Sequence, residues 1–437
     1  MDDSKGGDNR IIVCVLGMHR SGTSLVAGIV NALGVFMGRE ERLTPKKIDN
    51  PAGFWELASI WPINDQILVS MEGTWRRPPV LKSGWELSPA LSPLLEKARR
   101  LVTEEFGNHR IWGWKDPRTC LTLPFWRRVV APSHFIICLR NPIDVWNSLA
   151  LRGDGFPLDK ISGLWCQYVS SAFANTVGGQ RLFVWYEDLM ADHARQIERI
   201  GEFLGEAFLN LESRQKAEQL IERPLSHYST TPQEVAAFPG LPSIAADFYA
   251  LIREHSSEEG WDGGQTPALQ ELLKRLTTYC DDARDAEGAA RSGPDEPNHL
   301  QVFWDGGTGF SESASAMAYI ISDGKPHRYL LQLGTEFHGP LRIDPGWIPS
   351  YWKIRHIKVY DGLDDLKHNR VSATCSAETD FEGLSPVRSV DFVACGETYD
   401  FTTSGIDPQM LLEVPARDSS SSILEVEVSC EELRARE

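Results

Sequence analysis

The chain has 437 residues, of which 42% are hydrophobic and 24% charged, as in ordinary globular proteins, and this length suggests two or three domains. A net charge of −17 argues against non-specific binding to nucleic acid, so no nucleic-acid partner is expected. Residues 256–437 hold 32 acidic and 16 basic side chains, whereas residues 1–255 hold 29 and 28. The N-terminal part therefore keeps enough cations to hold a polyanionic ligand.

The N-terminus and the cysteines bear on the compartment. The first ten residues are polar and lack the basic and apolar regions of a signal peptide. Apolar runs such as the one from Ile11 are too short to span a membrane, so no transmembrane segment is expected. The eight cysteines include no CxxC pair. These features predict a reduced, cytoplasmic protein without a metal site.

Alternating strands and helices are predicted in the first half of the chain. An apolar run at 11–17 reads as a buried strand, and a helix should follow from Thr23 to Leu33 with Gly34 as its stop. Further strands are predicted at 134–139 and 182–186, the first followed by a helix and the second by one helical segment that ends on Gly205. This order predicts an α/β domain with a P-loop-like parallel sheet and helices on both faces.

The pattern changes near the middle of the chain. Residues 267–290 form a charge-rich helical pattern, and 291–298 read as a linker. Beyond them, short segments with a period of two predict a C-terminal all-β sandwich. We therefore predict a nucleotide-binding domain at 1–255, a helical linker at 256–297 and an accessory β-sandwich at 298–437.

The segment GMHRSGTSL, from Gly17 onward, lies between the first strand and the first helix. Backbone N–H groups at such a junction form an anion site. The two glycines, Gly17 and Gly22, have the spacing of the nucleotide-triphosphatase P-loop, but Thr23 stands where its lysine would be. The missing lysine argues against hydrolysis of ATP or GTP, and a cation, Arg20, lies inside the loop instead.

This segment resembles the 5′-phosphosulfate loop of sulfotransferases that use 3′-phosphoadenosine 5′-phosphosulfate (PAPS), in particular the bacterial and carbohydrate-type members. The family's second signature binds the 3′-phosphate, and CLRNPIDVWNSL is similar to it, with Arg140 and Ser148 in the matching positions. A later YEDL segment, which begins at Tyr186, also fits. The resemblance covers about residues 10–235 and implies PAPS as the co-substrate, with no metal.

Independent physical reasons support the anion-binding residues. Arg140 follows a parallel strand, where ligands bind in open α/β sheets, and its guanidinium fork suits a phosphate dianion. The predicted nucleotide-binding residues are His19, Arg20, Ser21, Gly22, Thr23, Ser24, Arg140, Ser148 and Arg223. Asp144 is read as a helix cap.

Two clusters between the signatures supply candidates for catalysis. The DNPAGFWE segment ends on Glu56, and WGWKDPR carries Lys115, Asp116 and Arg118 and resembles a segment of related bacterial enzymes. The predicted catalytic residues are Glu56, Arg20 and Lys115. Apolar neighbours could raise the pKa of Glu56 toward neutrality and make it the base, while Asp116 and His19 remain alternatives. Alternatively, the charged residues at 115–118 could form an internal salt-bridge group that orders a loop and has no catalytic role.

The C-terminal region resembles β-sandwich modules on bacterial enzymes of surface-polysaccharide assembly. Aromatic residues such as Trp347, Tyr351 and Trp352 could stack on sugars or pack in a core, and both readings stay open.

Together these observations predict a sulfotransferase that moves a sulfuryl group from PAPS to a hydroxyl of a glycan or glycolipid acceptor by direct in-line transfer. It would work in polysaccharide modification, in peripheral contact with envelope biosynthesis machinery. A P-loop nucleotide-dependent kinase and a non-catalytic carbohydrate-binding protein are the alternatives; the oligomeric state is left open.

Overall fold

A computed structural model describes residues 10–44, 55–150, 156–221, 230–256 except 239, 266–290 and, with short gaps, 299–432. By its internal contacts the chain divides into two compact units. The first comprises residues 1–141, 164–229 and 243–281, and the second comprises 142–163, 230–242 and 282–437. The predicted division at 255 and 297 into separately folding parts stays a prediction.

Over residues 11–290, which include most of the predicted helical linker, the strands occur in the expected order and are separated by one or more helices. In chain order they are β1 (Ile11–Leu16), α1 (Thr23–Ala32), α2 (Trp61–Ser70), α3 (Ser92–Phe106), β2 (Ile111–Lys115), α4 (Thr119–Trp126), β3 (His134–Leu139), α5 (Pro142–Ala150), α6 (Leu158–Asn175), β4 (Gln180–Trp185), α7 (Tyr186–Ala191), α8 (His193–Leu204), α9 (Leu211–Glu218), α10 (Pro232–Ala237), α11 (Ser243–Ser256) and α12 (Pro267–Ala290).

The first unit is built on a parallel sheet with the strand order β2-β1-β3-β4. Val13 and Ile136 lie on the face that packs with α1 and α8. On the opposite face Phe183 meets Phe173 of α6, with ring centroids 5.0 Å apart, and Trp185 meets Tyr249 of α11. Helices therefore cover both faces, which confirms the predicted fold class.

Two features of this unit differ from the sequence prediction. Strand β2, at the sheet edge beside β1, was not predicted, because IWGWK is short and its glycine and lysine obscure the pattern of a buried strand. The single helix expected after β4 is two helices, α7 and α8. The chain breaks at Asp192, whose side chain accepts a hydrogen bond from the backbone N–H of Arg195 and so caps α8.

The C-terminal strands are all antiparallel. In chain order they are β5 (His299–Asp305), β6 (Phe310–Tyr319), β7 (His327–Leu333), β8 (Leu341–Pro345), β9 (Ser350–Tyr360), β10 (Ala373–Ser376), β11 (Leu384–Arg388), β12 (Val390–Cys395), β13 (Tyr399–Thr403), β14 (Gln409–Leu412) and β15 (Ser422–Glu432).

These strands form two sheets with a common core. One sheet has the order β12-β13-β9-β15-β7 with β10 added beside β9, and the other has the order β11-β14-β8-β5-β6. Buried residues of both sheets, such as Val426 and Val302, belong to one hydrophobic cluster. The predicted β-sandwich is thereby confirmed.

Two aromatic residues of β9 have a structural role. Trp352 is fully buried and stacks on Phe401 within the sandwich, with ring centroids 5.9 Å apart, so it cannot be a sugar platform. Tyr351 is half-buried and donates a hydrogen bond from its hydroxyl to Asp400 at 2.7 Å. Trp347 lies outside the described residues.

Candidate active site

The loop between β1 and α1 has the backbone conformation of an anion-binding turn. Gly17 and Gly22 have φ values of 144° and 81°, and Arg20 between them also has a positive φ of 67°. A Cβ at Gly17 would lie 2.5 Å from the carbonyl oxygen of Cys138, so only glycine fits where the loop crosses β3. The loop then enters α1 at Thr23, with the positive end of the helix dipole facing the turn.

The side chains of this loop include an unsatisfied donor. Ser21 is 1% exposed, and its Oγ has no hydrogen-bond partner among the described residues. Thr23, at the position of the P-loop lysine, is buried, and Ser24 is half-buried on the first turn of α1. Because a buried hydroxyl without a partner costs about 1–3 kcal/mol, Ser21 fits a site whose missing partner is a ligand oxygen.

The structure brings the two predicted signatures together around Arg140. This residue follows β3, is 5% exposed and donates a hydrogen bond from its guanidinium to the carbonyl oxygen of Arg20 at 3.0 Å. Its guanidinium carbon lies 4.2 Å from the ring centroid of Tyr186, and that ring also packs against Gly22. Tyr186 thus supports both the phosphate loop and the arginine.

The second signature is also linked to the YEDL segment. Asn141 donates to Glu187 from its backbone N–H at 2.9 Å and from its side-chain amide at 3.1 Å. Trp165 donates from its indole nitrogen to the carbonyl oxygen of Arg140 at 2.9 Å and is fully buried. The YEDL segment therefore contributes to the site through its first two residues, and Trp165 is a core residue that positions Arg140.

Two of the three predicted catalytic residues, Glu56 and Lys115, form an ion pair, with 2.7 Å between Nζ and the nearer carboxylate oxygen. The Lys115 side chain is 2% exposed and that of Glu56 is 16% exposed. Lys115 ends β2 and is the register partner of Val15, so it lies beside the strand that leads into the phosphate loop. This contact differs from the apolar surroundings predicted for Glu56, because its carboxylate lies against a buried ammonium group.

A second charged cluster surrounds Arg118. Its guanidinium lies 2.7 Å from Asp65 and 3.0 Å from Asp116, and the latter also accepts a hydrogen bond from Asn64 at 2.9 Å. Although burial lowers it, the pKa of Arg118 is raised by the carboxylates of Asp116 and Asp65. Asp116 is fully buried, so Asp116 and Arg118 form an internal salt-bridge group, as in the alternative interpretation of residues 115–118. Asn64 and Asp65, on α2, were missed because nothing in their local sequence marks them.

His19 lies against aromatic residues. Its ring centroid is 4.4 Å from that of Trp75 and 5.5 Å from that of Tyr168. Tyr168 is fully buried and donates to the carbonyl oxygen of Trp75 at 3.1 Å. These contacts fix the position of His19 within the loop.

The remaining positions singled out by the sequence are Ser148, Asp144 and Arg223. Ser148 belongs to the second unit, where it lies buried on α5. Asp144, also on α5, accepts a hydrogen bond from Thr230 at 2.7 Å. Arg223 lies outside the described residues. The predicted roles of Ser148 and Arg223 at a 3′-phosphate stay predictions.

Among the described residues, no group of three or more His, Cys, Asp or Glu side chains is arranged to hold a metal ion. None of the described helices combines the length and apolarity needed to cross a membrane.

Comparison with known proteins gives a family match. Residues 13–209 match the model of the sulfotransferase family. No match was found among curated proteins. Similar solved structures include the sulfotransferase domain from the Synechococcus PCC 7002 olefin synthase, at 17% identity and a TM-score of 0.28, covering 61% of this chain and 94% of that one.

Two further similar structures have comparable scores. The sulfotransferase domain from the curacin biosynthetic pathway has 13% identity and a TM-score of 0.29, covering 61% of this chain and 98% of that one. Retinol dehydratase, in a complex with retinol and PAP, has 16% identity and a TM-score of 0.26, covering 62% of this chain and 80% of that one.

Proposed function

We propose that this chain, whose residues 13–209 match the sulfotransferase family, transfers a sulfuryl group from PAPS to a hydroxyl of a glycan or glycolipid. The observation that carries the proposal is the contact between the two signatures, in which Arg140 donates to the backbone of Arg20 within the phosphate loop. One anion site at the start of α1 and one cation beside it suit a ligand with two separate phosphate groups.

The loop residues fit the 5′ end of such a nucleotide. The N–H groups at the start of α1 would bind the phosphosulfate, and the Ser21 hydroxyl would donate to one of its oxygens. Arg140 would bind the 3′-phosphate by its guanidinium fork. PAPS supplies a sulfuryl group on a phosphate leaving group, so no covalent enzyme intermediate is needed and catalysis is mostly positioning and charge stabilisation.

The Glu56–Lys115 pair suits the remaining tasks. Glu56 would accept the proton of the acceptor hydroxyl, and Lys115 would hold that carboxylate beside the phosphate loop and stabilise charge on the leaving oxygen, together with Arg20. Burial of Lys115 makes its charge effective, because few water molecules screen it.

The acceptor class is supported by the second unit, whose β-sandwich resembles modules on enzymes of bacterial surface-polysaccharide assembly. A cytoplasmic location and contact with envelope biosynthesis machinery belong to the same proposal. A kinase is disfavoured because Thr23 occupies the position of the P-loop lysine.

Calorimetry with the purified full chain tests the nucleotide part of the proposal. We expect PAP to bind more tightly than ATP by about 2–5 kcal/mol, because ATP would leave buried Arg140 without its phosphate partner. Equal affinities would refute the assignment. Incubation of labelled PAPS with cell-envelope extracts, followed by mass spectrometry, then tests the acceptor: transfer of label only to molecules without sugar would overturn the acceptor class.

A further inference from the structure

The second unit contains a cavity that the proposed reaction does not use. Its volume is about 460 Å³, within the range of about 300–1,000 Å³ that holds small molecules. One wall is formed by α5, the start of α6, residues 230–238 and Gly240, and the other by β7, β9 and β15. All residues that line it belong to the second unit.

The sheet wall is unusually polar for a surface covered by helices. Leu424 and Val426 of β15 point into the sandwich core, whereas Glu425 between them faces the cavity and is fully buried. Glu425 accepts a hydrogen bond from His356 at 2.8 Å and another from Arg328. A buried charge persists only where it has such partners, so this wall presents a fixed set of polar groups.

The hydrogen bonds to Glu425 keep its carboxylate ionised. Although burial raises it, the pKa of Glu425 is brought down to about 2 by the hydrogen bonds from His356 and Arg328. On the rim, His327 pairs with Asp159 of α6 at 2.9 Å. The carboxylates of the cavity are thus compensated by neighbouring cations or hydrogen-bond donors.

The helix wall supplies an unsatisfied polar atom. Asn147 lines the cavity, is 2% exposed, and its Oδ1 has no hydrogen-bond partner among the described residues. Ile143, one helical turn before it, lines the same cavity, so both lie on one face of α5. Ser148, predicted for the nucleotide, is displaced by about 100° around the helix from Asn147. The cavity is therefore distinct from the side of α5 assigned to PAPS.

The composition of the cavity restricts its ligand. Its charged lining consists of four carboxylates, Arg328, Lys358 and two histidines, which disfavours a phosphate or sulfate group. Leu158, Phe238 and Leu366 add an apolar surface on which the C–H face of a ring can pack. Paired carboxylates, amides and a lysine beside such a surface suit many hydroxyl groups on a compact, uncharged ring.

We propose that this cavity is a binding site for one uncharged saccharide unit, separate from the site of sulfuryl transfer. Asn147 would accept a hydrogen bond from a sugar hydroxyl, and the sheet residues would bind the remaining hydroxyls. The site would let the protein hold a glycan independently of the chemistry in its first unit.

The test is binding of methyl glycosides of glucose, galactose, mannose and N-acetylglucosamine to the full chain, measured by saturation-transfer NMR. We expect at least one to bind at a single site, on the order of 1 mM, as befits a ligand of so few atoms. Inorganic sulfate and glucosamine, an anion and a cation, should bind more weakly, and saturating PAP should not compete.

Two variants locate the binding. Asn147→Leu removes the amide with little change of volume and should weaken binding at least ten-fold without lowering thermal stability. Lys358→Met should also weaken it, whereas Lys353→Met, on the same strand but exposed and outside the cavity, should not. The proposal is overturned if none of the four glycosides binds, if sulfate binds better, or if both cavity variants bind as the unmodified protein does. These outcomes are independent of PAPS binding and transfer.

Discussion

Replacing Gly22 by alanine tests whether the phosphate loop, Tyr186 and Arg140 act as one packed group. A Cβ at Gly22 would lie 2.7 Å from the Tyr186 ring, closer than side-chain carbons normally approach, and the backbone there has a φ of 81°. Gly178 is a matched control, because its φ is 78° and no atom lies within 4 Å of its Cβ position. The two substitutions share the backbone penalty and differ in the clash.

The expected magnitudes follow from these two contributions. The left-handed backbone costs a residue with a side chain about 1–2 kcal/mol, so Gly178→Ala should destabilise by that amount. At Gly22 the ring must also move, which adds about 1–3 kcal/mol, as overpacking does. Because Arg140 lies 4.2 Å from the ring, the displacement should also weaken PAP binding by about ten-fold or more.

Calorimetric unfolding and PAP titration measure both effects. With two compact units, the relevant unfolding transition is the one that PAP shifts to higher temperature, since ligand binding stabilises the unit that contains the site. We expect Gly178→Ala to bind PAP normally. If Gly22→Ala loses no more stability and no more PAP affinity than Gly178→Ala, the proposed coupling through Tyr186 is wrong.

Two further changes probe single carboxylates. Glu56→Gln keeps a hydrogen-bond acceptor for Lys115, so nucleotide affinity should stay within a few-fold while turnover falls by on the order of 10²–10⁴; near-normal turnover would move the role of base to another residue. The pKa of Glu425 is about 2 in the folded protein and 4.5 ordinarily, so the folded protein binds this proton at a lower pH than the unfolded chain does. The stability that Glu425 contributes is therefore complete above about pH 4.5 and is lost as the pH falls toward 2. Between pH 4.5 and pH 2, the free energy of unfolding of the unmodified protein should fall by about 3 kcal/mol more than that of Glu425→Gln, which has no carboxylate to protonate at this position; equal losses in an acid titration of unfolding would contradict the assignment.

Local sequence patterns predicted strands and helices well where burial follows a regular pattern along the chain. Strand β3 has the predicted bounds, and α1 begins at the predicted Thr23, because an uninterrupted apolar run and a glycine-flanked helix are determined by neighbouring residues. Strand β2 was missed because four of its five residues are buried by the packing of the sheet and its helices, and the residues themselves show no strand periodicity.

The sequence by itself determined which residues could bind anions. Gly17, Arg20 and Gly22 belong to one short loop after a strand, and Arg140 directly follows another strand, so each can be recognised from its neighbours in the chain. Only the tertiary structure decided their partners. Residues distant in the chain, such as Glu56 and Lys115, form an ion pair because a sheet edge and a loop bring them together, and Asn147 faces a cavity because α5 packs on the outer face of a sandwich. Such contacts depend on the packing of whole elements, and no short stretch of sequence encodes a distance between two of them.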